Sequence, residues 1–298
     1  SLMISQNGSG YSWRNNAGQN RITRSFQDLI KDNWGKYFYI RDLKRDIYWS
    51  ATYKPVMRDY QHYQVVHGIG YSRFIHRVEN IESTLTVFVA ADAPLEFFQL
   101  QLTNHSEETR ELDITSYAEW GLGFAPDEHR EFHKLFIETT ADEDKNAVIA
   151  RKCLWGFPDE QGRHNNIDWP YTAFMAASEP LKSYDCDKET FIGLYNNDDR
   201  PCAMAEPELA RRTGRFTDAI AALQVAISLE PGESKTVVFT LGAAEDAQED
   251  ADDLIKRYTS VEASEEAFQA VGEFWSRFID REQVETPDDA FNFMTNAW

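Results

Sequence analysis

Up to about residue 245 most of the chain alternates apolar and polar positions with a period of two, the rhythm of strands with solvated faces. Residues 36–41 and 46–50 flank Asp42-Leu43-Lys44-Arg45 and predict a hairpin. The spacing predicts further strands at 63–67, 71–77, 81–89, 95–103 and 110–120. Much later, 223–229 and 235–241 repeat the pattern across the turn Glu230-Pro231-Gly232-Glu233. Many strands at short spacing with turns between them predict a mainly β fold, a large antiparallel β-sandwich.

The rhythm changes at Gly242. Over 244–278 the chain is rich in Ala, Glu, Asp and Lys, with Leu254, Ile255, Tyr258, Phe268, Val271, Phe274, Trp275 and Phe278 at three- and four-residue intervals. That spacing predicts two helices broken near Ser260-Val261-Glu262, the first opening on Glu245, Asp246, Glu249 and Asp250 at the positive end of its dipole. Thr286-Pro287-Asp288 reads as an N-cap with proline at the first helical position, so a third helix is expected from there. The expected organisation is a β-sandwich over 1–243, a helical linker over 244–285 and the start of a further domain over 286–298. A chain stopping inside a fresh helix reads as a fragment of a longer protein.

Composition narrows the function classes. Thirty basic against 50 acidic residues leave a net charge of −20, a poor match to the phosphate backbone, so no nucleic-acid partner is expected. No apolar run approaches the roughly 18 residues that cross a bilayer, and no membrane partner is expected. Three cysteines, Cys153, Cys186 and Cys202, lack C-x-x-C spacing and read as plain buried thiols in a reducing cytoplasm.

The densest chemistry lies in 119–133, Glu-Trp-Gly-Leu-Gly-Phe-Ala-Pro-Asp-Glu-His-Arg-Glu-Phe-His. His129 and His133 stand four apart, but the acid is one place too late for the zinc-protease order, so no metal is assigned. The same loop could face a sugar, with aromatics stacking on pyranose faces and carboxylates or Arg bonding hydroxyls, or it could be a solvated loop. Residues 159–170 repeat the vocabulary, with Glu160 and Asp168 as acids, and read as an ordinary surface loop. His62, His67 and His76 lie in or beside predicted strands and read as structural histidines. No glycine-rich phosphate cradle is present.

Several stretches, in order, resemble one family. They are Gly10-Tyr11-Ser12-Trp13, Asn20-Arg21-Ile22-Thr23-Arg24, the segment 35–42, Tyr48-Trp49-Ser50, His67-Gly68-Ile69-Gly70-Tyr71-Ser72, Leu102-Thr103-Asn104, Tyr117-Ala118-Glu119-Trp120, Phe191-Ile192-Gly193-Leu194-Tyr195 and Leu229-Glu230-Pro231-Gly232-Glu233. Together they resemble the N-terminal part of the glycoside hydrolase family 94 phosphorylases, within which the cellobiose, cellodextrin and chitobiose group is most similar. Thr286-Pro287-Asp288 with Asn292, Met294, Asn296 and Trp298 resembles the opening of that family's helical barrel.

The resemblance implies a supersandwich of the galactose-mutarotase kind ahead of an (α/α)6 barrel. It implies phosphorolysis of a β-linked di- or oligosaccharide with inversion, inorganic phosphate being a co-substrate and no cofactor being needed. One carboxylic acid protonates the leaving oxygen while phosphate replaces the attacking water. In the family that acid lies in the barrel, so no catalytic residue is expected in this chain. The sandwich helps form a homodimer, and its loop after the Tyr-x-Glu-Trp strand reaches the neighbouring active-site entrance. Trp120, Asp127, Glu128 and Arg130 thereby become candidate contacts to substrate or to the partner barrel. The alternative is a stand-alone carbohydrate-binding or interaction module. Phe274, Trp275 and Phe278 would pack on the barrel, and a fragment exposing them is expected to self-associate or be unstable.

Overall fold

The structure is a computed structural model that describes the chain except residues 25–29, 31, 33–34, 124–130, 154–159, 162–168, 246–249, 282 and 298. Its first strands are β1 (Leu2–Ile4), β2 (Gly10–Ser12), β3 (Arg21–Thr23), β4 (Lys36–Asp42) and β5 (Ile47–Ser50). A long meander follows: β6 (His62–Gly68), β7 (Tyr71–Val78), β8 (Ile81–Val89), β9 (Leu95–Asn104) and β10 (Arg110–Gly123). A 3-10 turn (Glu131–Phe136) precedes β11 (Ile137–Asp142), β12 (Ala147–Lys152), β13 (Tyr171–Ala177) and β14 (Ser183–Asp187), which runs into the short helix α1 (Lys188–Ile192). After a second 3-10 turn (Cys202–Ala205), β15 (Ala219–Leu229) and β16 (Ser234–Glu245) close the sandwich, and α2 (Ala251–Tyr258), α3 (Val261–Ile279) and α4 (Asp289–Ala297) end the chain.

All strand pairs are antiparallel; β1 and β2 form a two-stranded ribbon, and the other strands form two large sheets. The eight-stranded sheet runs β11-β12-β13-β16-β9-β8-β7-β6. The six-stranded sheet runs β14-β15-β10-β4-β5, with β3 joined to β10. Between them lies the main core, where Phe38 of one sheet meets Phe98 and Phe239 of the other at ring separations of 5.0 and 5.1 Å. Period two decides which residues arrive there: Leu112, Ile114, Ala118, Trp120 and Leu122 of β10 face the core, and Tyr117 faces the opposite side.

Both outer faces are covered as well. On the eight-stranded sheet, Phe88, Phe97 and Val238 pack under Leu254, Ile255 and Tyr258 of α2 and Val271 of α3. On the six-stranded sheet, Tyr37, Tyr39 and Tyr117 pack under Phe191 and Ile192 of α1 and Met204 of the second 3-10 turn. This double burial explains why β13 and β15 read as almost unbroken apolar runs rather than alternation.

The predicted strands of the first half are all present, and β4 through β10 match them to within three residues at each end. β11 to β14 carry no predicted counterpart: β11, β12 and β14 are only five or six residues long, and β13 is buried along its whole length and so lacks the alternation that marks a half-buried strand. The break between the first two helices falls where expected, with Ser260 Oγ accepting the Ala263 N–H and opening α3. α4 starts later than predicted. Asp288, not Thr286, accepts the N–H groups of Ala290 and Phe291, while the Thr286 hydroxyl bonds Asn292. The first turn of α2 likewise carries Asp252 and Asp253 behind an Asp250 cap, and Glu245 remains in β16. Only Cys186 of the three thiols is buried; Cys153 and Cys202 are exposed.

Candidate functional site

β10 ends at Gly123 and residues 131–136 resume as the 3-10 turn, so the segment holding Asp127, Glu128 and Arg130 starts from one and returns to the other. Asp127, Glu128, Arg130 and His129 lie outside the described residues. Trp120 is described, and it is wholly buried between the sheets rather than presented to a ligand.

What the structure places at the end of β10 is an ion network. Glu119 sits one residue before Trp120 and therefore on the other face of the sheet, beside Tyr117. Its Oε1 accepts from Tyr117 Oη at 2.8 Å and from Lys188 Nζ at 2.5 Å. Its Oε2 lies 3.1 Å from the guanidinium of Arg24, which also bonds Asp218. The second oxygen of Asp218 accepts from Lys134 of the 3-10 turn at 2.7 Å. Backbone bonds reinforce the arrangement, with Arg24 N donating to Glu119 O and Lys188 N to Asp218 O. Both flanks of residues 124–130 are thus tied to one buried cluster.

The electrostatics follow from these partners. Burial pushes the Asp218 carboxyl up, but the charge of Arg24 and the bond from Lys134 outweigh it and leave the group below the usual carboxylate range. Burial, followed by the charge of Glu119, drives the Tyr117 hydroxyl far above its ordinary value. Asp198 behaves differently: burial first and Glu119 second push it up to about 6. Its backbone oxygen takes the Tyr39 hydroxyl at 2.7 Å, which anchors the segment that covers the tyrosines. Glu119 and Asp218 each face two cations. The cluster ties together the two chain segments from which the loop departs and to which it returns.

Glu119 and Arg24 stand inside segments that the sequence singles out, and the two-residue period would have put Glu119 beside Tyr117. Nothing local marks Lys134, Lys188 and Asp218 as their partners. Of the other candidates, Glu160 is exposed and Asp168 lies outside the described residues. His76 is buried with Nδ1 2.9 Å from Ser50 O, and His67 Nδ1 lies 2.9 Å from Ser72 Oγ, as expected of structural histidines. Among the described residues no cluster of His, Cys, Asp and Glu could hold a metal ion, and no helix is long and apolar enough to cross a membrane.

A family model for the glycosyl hydrolase 94 supersandwich domain matches residues 1–261. The chain belongs to this family. Its curated relatives include an N,N'-diacetylchitobiose phosphorylase of Vibrio furnissii, 25% identical over 298 residues, covering 99% of this chain and 36% of the relative. A solabiose phosphorylase of Paenibacillus borealis is 28% identical over 265 residues, covering 88% of this chain and 33% of the relative. The cyclic beta-(1,2)-glucan synthase NdvB of Rhizobium meliloti is 27% identical over 297 residues, covering 99% of this chain and 10% of the relative. This supersandwich therefore spans about a third of the length of the phosphorylases it matches.

Proposed function

We propose that this chain is the N-terminal, non-catalytic sandwich of an inverting β-glycoside phosphorylase, serving dimer assembly and access to an active site held elsewhere. The observation that carries the reading is the family match over 1–261 together with phosphorylase relatives aligned over a third of their length. The cluster at the end of β10 supports it, since Glu119 pairs with Arg24 and Lys188, and Asp218 with Arg24 and Lys134, and these pairs serve to hold a loop. The linker supports it too: Phe274, Trp275 and Phe278 of α3 are 40%, 40% and 53% exposed, an apolar face suited to a catalytic barrel.

In this reading the substrate is a β-linked di- or oligosaccharide. Inorganic phosphate attacks the anomeric carbon from the face opposite the leaving sugar, which one carboxylic acid protonates, giving an inverted sugar 1-phosphate. Asp127, Glu128 and Arg130, on the loop rooted at Glu119, contact the substrate or the neighbouring barrel. Trp120 contributes by fixing the strand from which that loop departs. Three free thiols support a cytoplasmic location.

The complete gene product should release sugar 1-phosphate from β-linked glucosides or chitobiose only when phosphate is supplied. Absence of phosphate-dependent product across that panel overturns the reading. The match to NdvB favours a second reading, the sandwich of a β-(1,2)-glucan synthase. Glucan formed from an activated sugar donor, with no phosphorolysis, would select it.

A further inference from the structure

Among the described residues the two large sheets end in four edge strands, and an unpaired edge is a template for another strand. Three of the four are blunted. β11 is bridged by Gly214, with Thr139 N donating to Gly214 O and Gly214 N to Thr139 O, both at 3.0 Å. β14 is covered by the chain at 211–212, where Arg211 N donates to Tyr184 O and Cys186 N to Arg212 O. β5 is only four residues long, and the carbonyls of Ser50 and Ala51 at its end take bonds from His76 and Ser83.

β6 has none of these protections. It is seven residues long, His-Tyr-Gln-Val-Val-His-Gly, without lysine, acid, arginine or proline. Among the described residues its strand partner is β7 alone, with an unshifted register from His62 opposite Arg77 to Gly68 opposite Tyr71. Apolar side chains fringe it: Val66 is 37% exposed, Ile69 40%, Met57 44% and Tyr60 50%.

We propose that β6 is the self-association edge of this protein: two copies pair their β6 strands antiparallel about a twofold axis at Val65, joining two eight-stranded sheets into one. The proposal deepens the assembly role put forward above and names its surface. Full overlap sets Val65 against Val65, Gln64 against Val66, Tyr63 against His67 and His62 against Gly68. Every opposed pair is uncharged, so in a molecule of net charge −20 this edge adds no charge repulsion of its own when two copies meet. A uniform neutral strand is complementary to itself, and this favours a second copy over a differently charged partner.

The test is the oligomeric state of this chain, by sedimentation and light scattering from about 1 to about 200 µM, with amide exchange of residues 62–68 followed alongside. A concentration-dependent dimer with protected β6 amides is expected. Val66→Lys should weaken it at least about tenfold by setting like charges across the axis, whereas Val66→Thr should leave it within about threefold. Thermal melts of both variants check the fold. A monomer throughout the range overturns the proposal. So does a dimer indifferent to Val66→Lys, which would assign association to the aromatics of α3, or β6 protection in a monomer of the complete protein, which would assign the edge to another domain. No sugar or phosphate enters, so failure here leaves the phosphorylase reading standing, and a protein without phosphorolysis leaves this dimer standing.

Discussion

The guanidinium of Arg110 closes on the carboxylate of Asp42 with both side chains fully buried. Arg110 Nε donates to Asp42 Oδ2 at 2.6 Å, and Nη1 donates to Glu79 O at 2.9 Å. The other Asp42 oxygen accepts the N–H groups of Lys44 and Arg45 in the β4–β5 turn, each at 3.0 Å. One ion pair thus ties the first residue of β10 and the last of β4 to the β7–β8 turn of the opposite sheet.

Removing one partner strands a buried charge. Arg110→Met should cost about 3–5 kcal/mol, read from urea midpoints at constant slope. Arg110→Met combined with Asp42→Leu should cost less than the two single changes added together, because no lone charge is left behind. A single variant as stable as the parent would contradict this assignment.

Asp198 gives stability an acidic tilt. Its carboxyl is pushed up to about 6 by burial and by Glu119, whereas in the unfolded chain it titrates near 3.9. The folded state holds the proton more tightly, so this contribution is fully present below about pH 4 and is lost as pH rises through about 6. Asp198→Asn should therefore stabilise the protein by about 1–3 kcal/mol at pH 7 and flatten its stability between pH 4 and 6. Urea titrations across that range check both.

Lys152 acts with the opposite sign. Burial, and then the charge of Arg24, bring its ammonium down to about 8, against about 10.4 when unfolded. The unfolded chain binds the extra proton between those values, so stability should climb with pH from about 8 to about 10. Lys152→Met should gain about 1–3 kcal/mol at pH 7 and lose that climb, as thermal melts at several pH values would show.

Trp120 separates core from contact. Trp120→Ala should cost about 3–5 kcal/mol in urea unfolding, as expected for deleting a large aromatic from a packed core. Under the proposed function, Trp120→Phe in the complete gene product, assayed where the protein is folded, should leave kcat/KM within about threefold of the parent. A larger drop without loss of stability would put Trp120 at the substrate after all.

Arg130 carries the loop's share of the proposal. Under the proposed function, Arg130→Ala in the complete gene product should raise KM for the disaccharide about tenfold with kcat changed less than about threefold, the signature of lost uniform binding. Initial-rate kinetics at fixed phosphate read both constants, and an unchanged KM removes Arg130 from the entrance.

The first half was readable because it is built from local signals. β6 to β9 are meander neighbours joined by short turns, and each alternates side chains between a packed and a covered or solvated face. β12 and β13 escaped notice because β12 is only six residues long and β13 is buried on both faces, which removes the alternation. The same limit applies to the ion cluster: Glu119, Arg24, Lys188, Asp218 and Lys134 are scattered over nearly 200 positions, and local propensity carries no information about which distant charges will meet.

By itself the sequence determined the fold class, most strands of the meander, the break between α2 and α3 and the family, since periodicity and motif order are properties of neighbouring residues. Only the tertiary structure decided that β10 pairs with β15, from Arg110 opposite Leu229 to Glu119 opposite Ile220, more than a hundred residues away. That pairing drew Trp120 into the core and turned Glu119 toward Lys188 and Arg24, while the strand order of the other sheet left β6 the one long uncapped edge among the described strands. The physical reason is that long-range strand order is chosen by the summed burial and hydrogen bonding of whole sheets, weighed against the entropy of closing long loops.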